Sequence, residues 1–398
     1  MRFLLAFLFV LAFYSANASS EIVLSGEAEI SILTCAPGNL LYESFGHSAL
    51  RVNDPGQGMD IVFNYGIFDF GEGFIGRFIQ GDLKYKLGIS SFAGFMRVYL
   101  PDDRSIEEQV LNLDSTQRQK LFDFLIWNER PENRYYQYDY FRDNCASRLR
   151  DVVDEHAGIE VQWNDTFETQ NESYRSLMNH YGRNNPWGLL GINICLGMPI
   201  DKKLSNEEYS FLPDYLRNSF SLATLTNGEK LVKKHRFLHR GVPRNAPPWY
   251  TTPQWIVCLL LIVMYIFISQ AGRQGILVLD YVLFGSLFLL SAVLLYLWFF
   301  TSHADARYNL SLLWVSPFYP FIYMRRNVFA KVISHMVASF GFVLLIVSNL
   351  GDPYSIAPSV AFLVCLIGFR ISITTGLETP PTIDYSKKNW WLKDLFSF

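Results

Sequence analysis

The sequence predicts an extracytoplasmic α+β domain followed by an all-α, multi-span transmembrane domain. Three observations predict it: a signal-like N-terminus, a stretch to about residue 248 built of short alternating runs and turns, and long apolar runs after it. The chain has 398 residues, of which 50% are hydrophobic, 16% aromatic and only 18% charged, and its mean hydropathy is +0.13, so part of it sits in lipid. With a formal net charge of -3 and a pI near 6.2, no global basic surface exists to neutralise a phosphate backbone, which sets nucleic acid aside as a partner.

Taken in order, Arg2, an apolar run over 3–14 and Ala16-Asn17-Ala18 before Ser19 read as a secretory signal over 1–18. The run is shorter than the roughly 20 residues that span a bilayer. Whether it is cleaved or kept as an anchor helix, the next domain faces outside the cytoplasm. A catalytic domain is expected over 19–230. There, 27–34 alternates as a strand, Cys35-Ala36-Pro37-Gly38-Asn39 breaks it, and 45–52 resumes alternation, placing His47 on or at the edge of a strand. The turn Asn53-Asp54-Pro55-Gly56 leads to a further strand over 61–66. Asp102, Asp103, Glu107 and Glu108 read as a solvated turn and a first helical turn. The segment 145–158 reads as a helix ending at Gly158, with Asp143 and Asn144 as N-cap residues and Cys145 in its first turn.

Residues 231–254 read as a basic, proline-rich linker. Lys233, Lys234, Arg236, Arg240 and Arg244 make it either a stalk on anionic head groups or a solvated linker, and Pro247, Pro248 and Pro253 mark where the membrane part begins. About five helices are expected over 255–376, from apolar stretches at 255–269, 276–300, 328–350 and 357–375 and a shorter one at 310–324 that carries Pro317 and Pro320. With the first domain outside, Arg273, Arg325, Arg326, Lys331, Lys387 and Lys388 fall inside, Arg307 is the exception, and 377–398 is a cytoplasmic tail.

A thiol at a helix N-terminus meets unpaired N–H groups and the positive end of the dipole, which favour thiolate and can hold an oxyanion. It then needs a base. His156 lies eleven residues along the same helix, about 16 Å away. His235 and His239 belong to the basic run, His303 to a loop between spans and His335 to a span, which leaves His47 and His180, with His47 in the better setting. A strand-borne histidine beside a helix-capping cysteine is a papain-like arrangement, and Asn64 on the neighbouring strand can orient His47 through its other ring nitrogen. The alternative is a buried structural cysteine and a core histidine. Of Cys35, Cys145 and Cys195, a Cys35–Cys195 disulfide leaves Cys145 free, and three reduced thiols are the other arrangement. No nucleophile elbow, phosphate loop or HExxH occurs, and His235 and His239 have ligand spacing without an acidic partner, so no metal or cofactor is expected.

Several of these stretches resemble the Lnb family of bacterial lipoprotein N-acyltransferases: Cys35-Ala36-Pro37-Gly38, Phe45-Gly46-His47-Ser48-Ala49-Leu50-Arg51-Val52, Phe63-Asn64-Tyr65-Gly66 and Asp143-Asn144-Cys145-Ala146-Ser147-Arg148. Phe211-Leu212-Pro213-Asp214-Tyr215-Leu216 and, in the membrane half, Thr301-Ser302-His303 with Asn309, Leu313, Trp314 and Pro317 extend the likeness over nearly the whole mature chain. The resemblance implies a papain-like domain similar to permuted NlpC/P60 folds, facing the periplasm from a multi-pass inner-membrane protein. It also implies transfer of an acyl chain from a membrane phospholipid, through a cysteine thioester, to the N-terminal amine of diacylated lipoproteins. Cys145 would be the nucleophile, His47 the base and Asn64 the third member. His303 and Arg307, in the outer loop beside Asp305, either contact substrate or anchor that loop. Rival readings are a membrane-anchored cysteine hydrolase, whether phospholipase or cell-wall amidase or peptidase, and a non-enzymatic membrane assembly protein.

Overall fold

The computed structural model describes residues 22–69, 71–242, 246–317 and 367. The signal segment, the apolar stretch at 328–350, that at 357–375 apart from Ile367, residues 318–324 of the shorter stretch and the tail therefore lie outside the described residues.

Nine strands are present among the described residues: β1 Glu29–Cys35, β2 His47–Asp54, β3 Met59–Ile67, β4 Lys84–Ser91, β5 Ile106–Leu111, β6 Tyr135–Gln137, β7 Val161–Gln162, β8 Thr224–Leu225 and β9 Val232–His239. The α-helices are α1 Phe74–Gln80, α2 Phe92–Tyr99, α3 Ser115–Glu129, α4 Ser147–His156, α5 Tyr174–Tyr181, α6 Pro186–Cys195, α7 Pro213–Leu222, α8 Pro253–Gln270 and α9 Arg273–Phe300. Seven strands form one sheet in the order β6-β4-β3-β2-β1-β5-β9, every pair antiparallel.

Strand alternation divides this sheet between two cores. Ile30, Ile32, Leu50, Val52 and Phe63 pack on Leu121, Phe122 and Leu125 of α3 and on Leu149, Val152 and Val153 of α4. The intervening Leu33, Ala49 and Val62 pack on Phe95 and Tyr99 of α2. Each fully buried aliphatic side chain contributes roughly 1.5–3 kcal/mol, so the central strands are the rigid part of the domain. The polar positions on these strands are covered too. Buried Arg51 donates from Nε to Asp60 at 2.7 Å and from Nη1 to Glu108 at 2.9 Å, while its guanidinium lies 3.5 Å over the Phe92 ring. A buried cation is tolerated there because its donors have acceptors.

Two sequence expectations are corrected here. Glu107 and Glu108 lie on β5, not in a helical turn. The basic run at 233–239 is not a linker but the edge strand β9, whose partners are those acids: His235 bonds Glu107 at 2.8 Å, Arg236 bonds Glu108 at 2.6 Å, and Lys234 bonds Glu29 at 2.9 Å. The sheet domain thus extends to His239, and edge charges of this kind also protect an open strand from pairing with another chain.

α8 and α9 are the two described helices long and apolar enough to cross a membrane. At 1.5 Å per residue they measure about 27 Å and 42 Å, against a hydrocarbon core of about 30 Å. Pro253 starts α8 at a position where a missing N–H costs nothing. The apolar α6 joins the two halves: Leu190 packs with Val257, Phe284 and Trp314, and Trp187 Nε1 donates to the Thr251 carbonyl at 2.8 Å. Leu310–Leu313, the start of the shortest apolar stretch, is a 3-10 turn capped by Asn309.

Candidate active site

His47 opens β2 opposite Cys35 of β1. Gly46, at φ +82°, makes that possible, since a Cβ there would lie 2.7 Å from the Cys35 carbonyl oxygen. The imidazole is half-buried. Its Nε2 lies 3.3 Å from Oδ1 of buried Asn64 on β3, and its ring stacks with Tyr99 of α2 at 6.2 Å between centroids. Burial pushes the imidazole down to about 4, a shift that Asn64 opposes and the charge of Arg104 reinforces. Arg104 is itself held by the Ala36 carbonyl at 2.7 Å and lies 4.6 Å over Tyr99.

Cys145 sits in a tightly built turn. Asp139 and Asp143 exchange backbone hydrogen bonds at 3.1 and 3.0 Å, and Asp139 Oδ1 accepts from the N–H groups of Phe141 and Arg142. Helix α4 begins at Ser147 with Ala146 as N-cap, so Cys145 stands just before the helix and not in its first turn. Asn144 displaces the expected start. Its Oδ1 accepts from Ala146 N–H at 2.7 Å and Ser147 N–H at 3.0 Å, and its Nδ2 donates to the carbonyls of Tyr140 and Phe211. Asn144 thus takes up the first N–H groups of the helix start. Burial pushes the Cys145 thiol up to about 11, partly offset by hydrogen bonds from the backbone N–H groups of Ser48 and of Cys145 itself.

The sulfur therefore meets β2 at the residue next to His47. The β2–β3 ladder ends at Leu50↔Phe63, and the thiol turn occupies the space beyond it. Gly66, at φ +88°, forms the far wall, where a Cβ would touch Tyr138 at 3.4 Å and Cys145 at 3.7 Å. Tyr99, Tyr138 and Tyr140 surround the thiol, each hydroxyl held protonated by burial, and the Tyr140 hydroxyl is buried without a hydrogen-bond partner among the described residues. Sequence reasoning missed Tyr99, Arg104 and the Ser48 N–H. Only the last had a signal, its place one residue after His47 on a strand.

The remaining candidates lie elsewhere. Cys35 and Cys195 do not bridge: both are free thiols, Cys35 buried between β1 and α2 and Cys195 packed against the membrane helices. His303 bonds the Phe78 carbonyl through Nε2 at 2.8 Å, and Ser302 N–H donates to the Gln80 carbonyl at 2.8 Å, so this loop docks on α1. Arg307 is exposed, with its carbonyl against Gly197. Asp305 receives Arg142 in a two-pronged ion pair at 3.0 and 2.8 Å, which ties the loop between spans to the turn that carries Cys145. His180 lies on α5 beside Tyr181, and His156 stacks on Phe124 at 3.5 Å. His235 and His239 each bond a carboxylate, and no group of three metal-ligating side chains is found among the described residues.

A folded α+β domain joined to two apolar helices of spanning length defines a membrane protein with a domain outside the bilayer. Residues 15–180 match the Lnb N-terminal periplasmic domain and residues 245–379 the Lnb transmembrane domain; the chain belongs to the Lnb family and is a membrane protein with a periplasmic domain. No curated protein and no solved structure matches it.

Proposed function

We propose that this protein is a lipoprotein N-acyltransferase of the inner membrane, multi-pass and papain-like in its periplasmic domain, with Cys145 as nucleophile, His47 as general base and Asn64 as the residue that orients it. The observation that carries the reading is the convergence on β3 of His47, whose Nε2 is engaged by Asn64, and of the Cys145 side chain, which stands against Gly66 two residues further along that strand. With Nε2 so held, Nδ1 is the ring nitrogen left to move protons. Family membership supplies the acyltransferase class.

Both groups are neutral at pH 7, so proton transfer accompanies attack rather than preceding it. In the first half, sulfur bonds to an ester carbonyl carbon of a phospholipid. His47 takes the thiol proton and delivers it to the departing glycerol oxygen, leaving a thioester and a lysophospholipid. In the second half, the N-terminal amine of a diacylated lipoprotein attacks the thioester. His47 takes the amine proton and returns it to sulfur as the C–S bond breaks, leaving an amide. Each tetrahedral oxyanion needs backbone N–H donors beside the sulfur, and those of Ser48 and Cys145 are the candidates. Burial among Tyr99, Tyr138 and Tyr140 favours an amine acceptor over water.

The test is the intact mass of a reporter lipoprotein expressed with this protein in a host lacking its own N-acyltransferase. One added acyl group on the N-terminal peptide, absent with Cys145→Ala, supports the reading. An unmodified reporter with the protein present and inserted refutes it.

A further inference from the structure

A cleft of about 320 Å³ lies between α1 and β4, a volume on the scale of small-ligand sites, which run from roughly 300 to 1,000 Å³. Phe68, Phe74, Phe78 and Tyr85 line it, with the basic Arg77 and Lys84, the acidic Asp82, and Lys86 paired to Asp69 at 2.7 Å. Its inner end abuts the thiol site. Ile67, which lines the cleft, follows Gly66, and Tyr85 stacks at 4.4 Å on Tyr138, whose ring flanks Gly66 together with Cys145.

The outer wall, α1, is tied to the loop that follows α9. Its backbone carbonyls at Phe78 and Gln80 receive His303 and Ser302, the residues that follow the last turn of α9. Gly81 takes φ +78° against the backbone of this loop, where a Cβ would lie 2.9 Å from His303 N. Ile75, Phe78 and Ile79, spaced i, i+3, i+4 on one face, are 73%, 48% and 45% exposed at the height where α9 ends in the exposed Phe299 and Phe300. An apolar face continuous with the exposed end of a spanning helix, with basic side chains beside it, matches the boundary between acyl chains and anionic head groups.

We infer that α1 lies in the periplasmic leaflet and that the cleft behind it holds one acyl chain of a membrane phospholipid, directing its ester toward Cys145. The inference rests on the acyltransferase reading for the use of the chain but not for its binding. Arg77 and Lys84 are the side chains placed to meet the lipid phosphate.

The test reconstitutes the full chain, as Cys145→Ala so that lipid is not consumed, into phosphatidylethanolamine–phosphatidylglycerol vesicles. A fraction of the phospholipid carries a diazirine at the end of one acyl chain, and cross-linked peptides are mapped by mass spectrometry. Adducts within residues 67–86 are expected, falling at least about fivefold with Ile75→Glu/Ile79→Glu, exposed positions whose change leaves the fold intact. Adducts confined to 253–300, or equal yields from the double variant, overturn the inference. So does labelling of the cleft by a diazirine-bearing diacylated lipopeptide but not by the phospholipid. Because labelling needs no turnover, a protein that labels at 67–86 yet acylates no reporter loses the proposed function and keeps the cleft.

Discussion

The Nε2 of His47 lies 3.3 Å from Oδ1 of Asn64 across the open end of the β2–β3 ladder. This contact fixes the imidazole and favours its protonated form, against the burial that disfavours it. Replacing Asn64 by Ala is expected to lower kcat about 10- to 100-fold with little change in KM, a fraction of the roughly 10²–10⁴-fold that general acid–base catalysis supplies. Loss of the contact also moves the acid limb of the rate profile downward, which a merely structural asparagine would not do. Steady-state kinetics across pH separate the two.

The imidazole near 4 and the thiol near 11 predict kcat/KM that is flat through neutrality and falls only toward those limits. At pH 7 roughly one thiol in 10⁴ is ionised, so alkylation of Cys145 by iodoacetamide is expected to be slow and to rise about tenfold per pH unit. Fast alkylation at neutral pH would show a preformed ion pair instead.

The same shift has a stability consequence. Between pH 6.5 and about 4 the unfolded chain binds a proton that folded His47 refuses. Its contribution is therefore complete above 6.5 and lost as pH falls to about 4. Unfolding temperature in detergent should drop across this window, and drop less in His47→Gln.

Gly46→Ala tests the backbone that presents His47. At φ +82°, with the new Cβ 2.7 Å from the Cys35 carbonyl oxygen, the substitution is expected to destabilise by about 1–3 kcal/mol. Thermal unfolding of the variant measures it, and an unchanged midpoint would refute the stated strain.

Arg142 and Asp305 join the Cys145 turn to the loop between spans. The pair is partly exposed, so its coupling is expected at about 0.2–1 kcal/mol. Alanine at either position should reduce kcat/KM up to about fivefold, and the double variant should be no worse than the singles. Strict additivity in that cycle would show that the contact does not connect the two domains.

Local patterns carry much of this architecture and long-range pairings do not. The alternation at 27–34, 45–52 and 61–66 is visible as β1, β2 and β3, and Gly158, at φ +65°, does come after the end of α4. The helix start is displaced because Asn144 caps from outside, using a side chain that also reaches Phe211, 67 residues away. The basic run has the pattern of a linker because its partners, Glu107 and Glu108, stand 128 residues earlier. His47 and Asn64 are legible from neighbouring strands, whereas the thiol's contact with Ser48 depends on a turn whose path no periodicity records.

The most direct measurement is the mass of the peptide containing Cys145 after the purified protein is incubated with phospholipid vesicles and no acceptor. The account predicts one acyl group on Cys145, removable by hydroxylamine, which leaves the enzyme and appears on the amine when a diacylglyceryl-cysteine peptide is added. An unmodified Cys145 throughout, with amine acylation persisting in Cys145→Ala, would contradict it.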